Sequence, residues 1–310
     1  MGFSEIGLAL VPVAALLAFG FGLKRTPLFS NQDFWTGAER LAYFVLLPTL
    51  LFRNVATVDL TQISIGPLAA ALVLPTLAVS LLLIAAHRAT APDARAFTSV
   101  FQGSIRFNTY IGLSVAATLF GESGAALAAI VGAILVPVVN IASALVFEYF
   151  LVDKHSWLAL LRSVVLNPLV LGCAAGVAWS LVAGGMPELA SGVLDPLAAA
   201  ALPIGLLCVG AGLRPISIGA HGRGLAVSSA VKLVVLPAVT VVSLRLFGIT
   251  GEPAMVGLVF QSIATASSAY VMSRQLGGNA PLMAAIIALQ TLASLVLLPP
   301  VLAIGFRLLA

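Results

Sequence analysis

Charged residues are scarce in this chain of 310 residues: they make up 8% of it, whereas 61% of the residues are hydrophobic. A soluble domain carries roughly 25% charged residues, so this chain lacks the side chains that would cover a water-facing surface. Apolar runs of about 18 residues or more recur along it, and each is long enough to cross a bilayer. The runs are continuous rather than alternating, which favours helices over β-barrel strands. The sequence therefore predicts an all-α integral membrane protein.

Residues that support enzymatic or metal chemistry are also few. The two cysteines, Cys173 and Cys208, lie in separate apolar segments without a partner at metal-ligand spacing, and the three histidines are far apart. An intramembrane enzyme needs a nucleophile with a base, a metal cluster or paired carboxylates, and the sequence places no such set at membrane depth. We expect no catalytic residues, no metal and no cofactor. The net charge of +4 comes mostly from basic residues between apolar runs, so no nucleic-acid partner is expected.

Ten spans of roughly 20 residues are predicted. They lie near residues 4–23, 35–56, 65–86, 96–120, 124–150, 158–183, 192–213, 223–247, 253–275 and 282–306. Most basic residues fall in the connections that follow odd-numbered spans, such as Lys24, Arg25, Arg214 and Arg274. Because Lys and Arg concentrate on the cytoplasmic side, these connections are predicted inside and both termini outside.

Short motifs repeat between the two halves of the chain. Pro12 corresponds to Pro168 at an offset of 156, Leu47-Pro48 to Leu202-Pro203 at 155, and Val100-Phe101-Gln102 to Val259-Phe260-Gln261 at 159. Residues 1–150 and 158–310 are therefore predicted to form two five-helix repeats, joined by a short cytoplasmic linker over residues 151–157. An odd number of spans makes the second repeat enter the membrane from the opposite side, which is typical of secondary transporters.

Polar residues crowd the middle of the predicted fourth and ninth spans. In lipid such side chains are costly, so they are expected to face protein or a water-filled cavity. Asn108-Thr109 and Ser267-Ser268 occupy related positions and are residue types that cap helices. A helix broken at mid-membrane exposes free N–H groups that attract anions. The predicted substrate-binding residues are Asn108, Thr109, Arg106, Ser267, Ser268, Ser104 and Ser262.

Glycine and proline near these stretches are predicted to break or hinge the helices. Gly103 and Gly112 flank the first polar stretch, and Pro48 and Pro203 each free a carbonyl within a span. Two plainer interpretations stand beside this one: the serine hydroxyls bond back to their own helices, and Lys232 extends to the membrane interface. Every acidic residue, Glu39 included, adjoins a predicted loop or span end, so no carboxylate is expected deep in the membrane to carry a coupling ion. This favours uniport or a sodium site made of carbonyl groups.

Three segments resemble motifs of the auxin efflux carrier family, which includes the plant PIN transporters and bacterial malate or malonate carriers. They are Leu46 to Phe52, Asn108 to Ser114 and Ala269 to Gly278. The resemblance implies ten helices in two inverted repeats, with discontinuous helices four and nine crossing in a transport domain that moves like an elevator against a scaffold. It implies an organic-anion substrate, with Asn108 meeting its carboxylate, and a homodimer. The short linker resembles bacterial inner-membrane members.

This sequence departs from the family pattern at its expected breaks. Phe107 and Ala264 stand where prolines are usual, so the breaks are expected to depend on glycine, serine and asparagine. The substrate and its coupling to protons or sodium stay open. A sodium-coupled symporter of the bile-acid type shares the crossed architecture, and a receptor or assembly subunit without transport is a further alternative.

Overall fold

The structure is a computed structural model that describes residues 3–57, 64–91, 93–151, 166–182, 186–214 and 222–309. Within these ranges all regular secondary structure is helical, and six helical stretches are long and apolar enough to cross a membrane. The predicted all-α membrane class is confirmed. The count of ten spans, their inverted arrangement and the division into two repeats stay predictions. The predicted linker lies outside the described residues except for Leu151.

The first half of the chain contains seven α-helices within its described residues. They are α1 (Phe3–Leu23), α2 (Gln32–Leu41), α3 (Leu47–Ala56), α4 (Ile65–Ala85), α5 (His87–Thr90), α6 (Ala94–Ile105) and α7 (Thr109–Leu151). A π-helical turn, Ala42–Leu46, joins α2 to α3. Within α7 the backbone turns at Gly121, whose φ of 63° is one that glycine adopts readily. This turn separates the predicted fourth and fifth spans.

The described part of the second half contains another seven α-helices. They are α8 (Pro168–Val182), α9 (Glu188–Gly212), α10 (Gly222–Ala230), α11 (Leu236–Leu246), α12 (Gly251–Ser262), α13 (Ser268–Gln275) and α14 (Ala280–Leu309). A second π-helical turn, Val231–Val235, joins α10 to α11. Both π turns lie just before a proline, Pro48 or Pro237, which cannot donate a backbone hydrogen bond. Pro48 therefore lies at a helix irregularity, whereas Pro203 lies inside α9.

Close backbone contacts at glycines join α1 to α9 and α3 to α8. A Cβ atom on Gly20 would collide with the carbonyl of Leu207, and one on Gly176 would lie 2.8 Å from the carbonyl oxygen of Phe52. Close packing without side chains between them is how helices associate where no hydrophobic effect drives them together. Helix α9 also packs against α3, so these four helices form one group, which we call the α1–α3–α8–α9 group.

Two other helices, α6 and α12, lie at the centre of the protein. Every residue from Ala96 to Ile105 and from Ala254 to Ser262 is buried. Non-helical backbone at membrane depth is tolerated only inside protein or beside water, and both helices end in such backbone. The predicted break residues Gly103 and Gly112 lie inside α6 and α7, where their missing side chains admit Ser228, Ile286 and Phe260. The helices are interrupted instead at residues 106–108 and 263–267.

Candidate functional site

The two predicted discontinuities are present, and they touch each other. Helix α6 ends at Ile105 and α7 begins at Thr109, while α12 ends at Ser262 and α13 begins at Ser268. We call residues 106–108 the first break and residues 263–267 the second break. The backbone N–H of Asn108 donates to the carbonyl of Ala264 at 2.8 Å. The polar stretches of the fourth and ninth spans therefore meet at one place.

Asn108 caps the helix that follows the first break. Its side-chain oxygen accepts from the backbone N–H groups of Tyr110 at 3.1 Å and Ile111 at 3.3 Å, as an N-cap residue does. The predicted cap is confirmed here. Because this oxygen is engaged, the side-chain amide nitrogen is the group of Asn108 that is left to bind a ligand, and it donates to no described residue.

The predicted cap of the second break is wrong. Ser267 precedes α13, but its backbone is already helical, with φ −59° and ψ −31°, and its side chain caps no N–H group. A helical backbone at this position points the hydroxyl away from the amides of the next turn. The Ser267 hydroxyl is instead buried and bonds to no described residue. The Ser268 hydroxyl accepts from Nη2 of Arg106 at 3.1 Å.

Side chains from neighbouring helices satisfy one freed carbonyl at each break. Gly103 lies two residues before the end of α6, and its carbonyl accepts from Nε2 of Gln290 at 3.0 Å. Phe260 lies two residues before the end of α12, and its carbonyl accepts from Nζ of Lys232 at 3.3 Å. Lys232 is fully buried, so the interpretation that it extends to the membrane interface is wrong. Sequence reasoning missed its role because apolar neighbours do not reveal which way one lysine points.

Three other predicted site residues do not face a described cavity. The hydroxyls of Ser104 and Ser262 are bonded to the carbonyls of Val100 and Leu258 in their own helices, which is the plainer of the two interpretations. Arg106 donates to Ser268 and to the sulfur of Met272, behind the site. Arg106 therefore acts on a ligand only through Ser268 or through its charge.

A small cavity of about 50 Å³ lies where the breaks meet, and we call it the inner cavity. The breaks and the starts of α7 and α13 contribute Asn108, Thr109, Tyr110, Ala266, Ser267 and Ser268, the second span contributes Glu39, Tyr43 and Leu47, and α9 contributes Gly205, Cys208 and Val209. The hydroxyl of Tyr110, like that of Ser267, is buried and bonds to no described residue. The inner cavity thus collects polar groups that are free to bind a ligand.

A cavity of about 600 Å³ adjoins the inner cavity and shares Glu39 and Ser267 with it. Four basic side chains line it: Lys24, Arg25, Arg214 and Arg274. We call it the basic vestibule. Glu39 is the one acidic residue among the described residues that line it. A cleft lined by charge of one sign raises the local concentration of ions of the opposite sign, so this entrance favours anions.

A third cavity, of about 520 Å³, lies towards the other end of the molecule and shares no lining residue with the first two. Arg53, Asn54 and Glu122 are among its lining residues, and we call it the opposite cavity. Arg53 follows Glu39 by 14 residues along one continuous helical stretch, which corresponds to about 21 Å. The Tyr110 ring, which lines the inner cavity, lies against Gly205. Among the described lining residues, the inner cavity shares members with the basic vestibule and none with the opposite cavity.

The family comparison bears on the second half of the chain. Residues 154–302 match the family model described as "Membrane transport protein", the family of auxin efflux carriers and related transporters. The resemblance to the auxin efflux carrier family is confirmed. The matched residues include Lys232, the second break and α13, whereas the first break is known from its geometry. No curated protein matches the chain. The match indicates a membrane transporter, and its family is generally non-enzymatic.

Proposed function

We propose that the protein is a secondary carrier of a small organic anion, a mono- or dicarboxylate. The single observation that carries this proposal is the meeting of the two breaks at a cavity that adjoins a vestibule lined by four basic residues. The vestibule attracts the anion, and the inner cavity offers it hydrogen-bond donors.

The donors at the inner cavity suit a carboxylate. Asn108, Tyr110 and Ser267 all line it, and the hydroxyls of Tyr110 and Ser267 have no partner among the described residues. The side-chain oxygen of Asn108 caps α7, which leaves its amide nitrogen as the donor. Hydrogen bonds to an ionised acceptor are roughly twice as strong as those between neutral groups. The start of α7 adds the partial positive charge of a helix N-terminus. An anion therefore gains more in this cavity than a neutral molecule of the same shape.

Arg106 favours a substrate with two negative charges. It lies behind Ser268 and forms no ion pair with a described residue, and the one ion pair among those residues joins Arg53 to Asp195. An unpaired positive charge inside the protein attracts each negative charge in the inner cavity. The attraction grows with the charge of the ligand, so a dicarboxylate gains more from Arg106 than a monocarboxylate.

The packing of the two halves supports inverted repeats. The contact of Gly20 with Leu207 and the contact of Gly176 with Phe52 are related by the same offsets, 156 and 155, that relate the prolines of the two halves. In this proposal the α1–α3–α8–α9 group is the scaffold, and the broken helices move against it to present the inner cavity to the opposite cavity. In the same proposal the carrier forms a homodimer in the inner membrane. Both of its termini lie outside.

Uptake of labelled carboxylates into liposomes tests the proposal. The purified protein is reconstituted and offered mono- and dicarboxylates, with and without sodium, beside Asn108→Ala and a matched control, Asn279→Ala. Asn279 caps α14 through Leu282 but lines none of the three cavities. We expect uptake that Asn108→Ala lowers and Asn279→Ala retains. No uptake of any carboxylate by the folded protein would contradict the proposal, and a strict need for sodium would favour the symporter alternative.

A further inference from the structure

Glu39 is in a position that the sequence did not indicate. It was expected at a span end, but it lines both the inner cavity and the basic vestibule, at the place where the two adjoin. An anion that passes from the vestibule to the breaks must pass this carboxylate. A negative charge in the path of a negative substrate repels it, so Glu39 needs an explanation in a carrier of anions.

No described group neutralises Glu39. The nearby basic side chains have neutral partners: Lys24 donates to the carbonyl of Ser30, Arg25 donates to the carbonyl of Phe21, and Arg214 lies over the ring of Tyr270. The titratable and charged groups around Glu39 are Asp33 and Arg40 on its own helix, Tyr43 on the π turn, Tyr110 on α7, Cys208 on α9, Tyr270 and Arg274 on α13, Arg106 behind Ser268, and Lys24, Arg25 and Arg214 along the vestibule.

Two negative charges in one small cavity favour the uptake of a proton. Once an anion lies beside Asn108 and Ser267, an ionised Glu39 would face it across a space of about 50 Å³. Like charges at such a separation shift the balance towards the protonated form of the weaker acid. The anion and a proton on Glu39 therefore each make binding of the other more favourable, which is a reciprocal coupling.

We propose that Glu39 links anion binding to protons: the substrate binds from the basic vestibule together with one proton, which the Glu39 carboxylate takes from water there. Glu39 lies on the helical stretch that continues into the scaffold helix α3, so it stays at the vestibule when the broken helices carry the anion away. It then returns the proton to the vestibule, and the next anion binds with a new proton. This inference rests on the proposed function of the inner cavity as an anion site.

Binding measurements as a function of pH test the inference. Malonate and acetate are the probes, and their dissociation constants are measured with the purified wild type, Glu39→Gln and Asp33→Asn. Asp33 is the matched control, because it lies on the same helix but lines none of the three cavities. Protonation of the probe itself is common to all three proteins, so a difference between their pH profiles reports on the protein.

The sign of the expected effect follows from proton uptake on binding. For the wild type we expect the dissociation constant to rise by up to about tenfold per pH unit as the pH increases through the range where Glu39 titrates. Glu39→Gln mimics the protonated state, so we expect tight binding and a pH profile that follows only the protonation of the probe. Asp33→Asn should keep the slope of the wild type. A Glu39→Gln variant that keeps this slope would overturn the inference.

Anion uptake into liposomes gives a second readout. At a malonate concentration below saturation, uptake by the wild type should slow as the external pH rises through the range where Glu39 titrates, and uptake by Glu39→Gln should lose this dependence. A dependence on pH that is the same in both proteins would overturn the role of Glu39 and leave the proposed function standing. Failure of the wild type to bind or carry any carboxylate would overturn both.

Discussion

The two breaks meet at one site, but they are built differently. The first break has three residues, and Asn108 caps the helix that follows it. The second break has five residues, and the serine before the next helix caps nothing. The first break therefore uses most of its polar capacity to hold its own backbone, whereas the second leaves the Ser267 hydroxyl free. The first break thus combines a structural cap with one free amide donor, whereas Ser267 of the second break offers a hydroxyl that caps no helix.

The side chains that satisfy the freed carbonyls also differ between the two breaks. A neutral amide, Gln290, satisfies the carbonyl of Gly103 and also accepts from the backbone N–H of Thr265, so it ties the two breaks together. A buried lysine, Lys232, satisfies the corresponding carbonyl of Phe260 through its Nζ. The difference teaches that a pair of related breaks does not need related side chains, provided that each freed backbone group finds a partner.

The largest effect is expected at the cap of the first break. Asn108→Ala removes both the cap of α7 and an amide donor at the inner cavity. We expect carboxylate binding to weaken by about ten- to a hundredfold, the effect of one lost hydrogen bond to a charged group. Isothermal titration with malonate measures it, with Asn279→Ala as the control. Unchanged binding by a folded Asn108→Ala protein would contradict the assigned role.

A substitution at Lys232 distinguishes a hydrogen bond from a charge. Lys232→Met leaves the carbonyl of Phe260 without its donor, and we expect the free energy of unfolding to fall by about 2 kcal/mol. Lys232→Gln supplies a neutral donor like that of Gln290, so most of this loss should be recovered. Denaturation in detergent measures both variants. Equal destabilisation by the two would show that the charge itself is needed at the second break.

Arg106→Gln tests the charge behind the site. We expect weaker binding of dicarboxylates by about fivefold, on the order of 1 kcal/mol, and a smaller effect on monocarboxylates, because the attraction scales with ligand charge. Competition between malonate and acetate measures this ratio directly. The same loss for both anions would mean that Arg106 only positions Ser268.

The smallest effect is expected at the free hydroxyl of the second break. Ser267→Ala removes a hydroxyl that no described residue engages, so we expect unchanged stability and about two- to fivefold weaker anion binding. Ser262→Ala is the matched control, since its hydroxyl is bonded within its own helix and lines none of the three cavities. If both variants bind alike, Ser267 is not a ligand of the anion.

The sequence predicted the places of the breaks because their signals are local. A capping residue at the start of a renewed apolar run, such as Asn108, marks a helix start wherever the chain lies in space. The repeated Val-Phe-Gln triplet located the second break in the same way. Its cap was predicted wrongly because serine is equally at home in a helical backbone, and the local sequence does not decide between the two conformations at Ser267.

The sequence could not reveal Glu39 or Lys232, because their positions depend on depth and direction. Glu39 lies near the start of a span, and only the fold shows that a vestibule reaches down to it. Lys232 lies in a π turn that alters the direction of its side chain relative to a regular helix. Neither property follows from hydropathy or spacing, which report composition along the chain rather than the shape of the cavity beside it.

The most direct test of the meeting of the two breaks at an anion site is an experimental structure of the protein with bound malonate. We predict density for the anion in the inner cavity, between the side-chain amide of Asn108 and the hydroxyls of Ser267 and Ser268, with both helices interrupted. Helices that run without interruption through residues 106–108 and 263–267, or an anion bound away from both, would contradict the account.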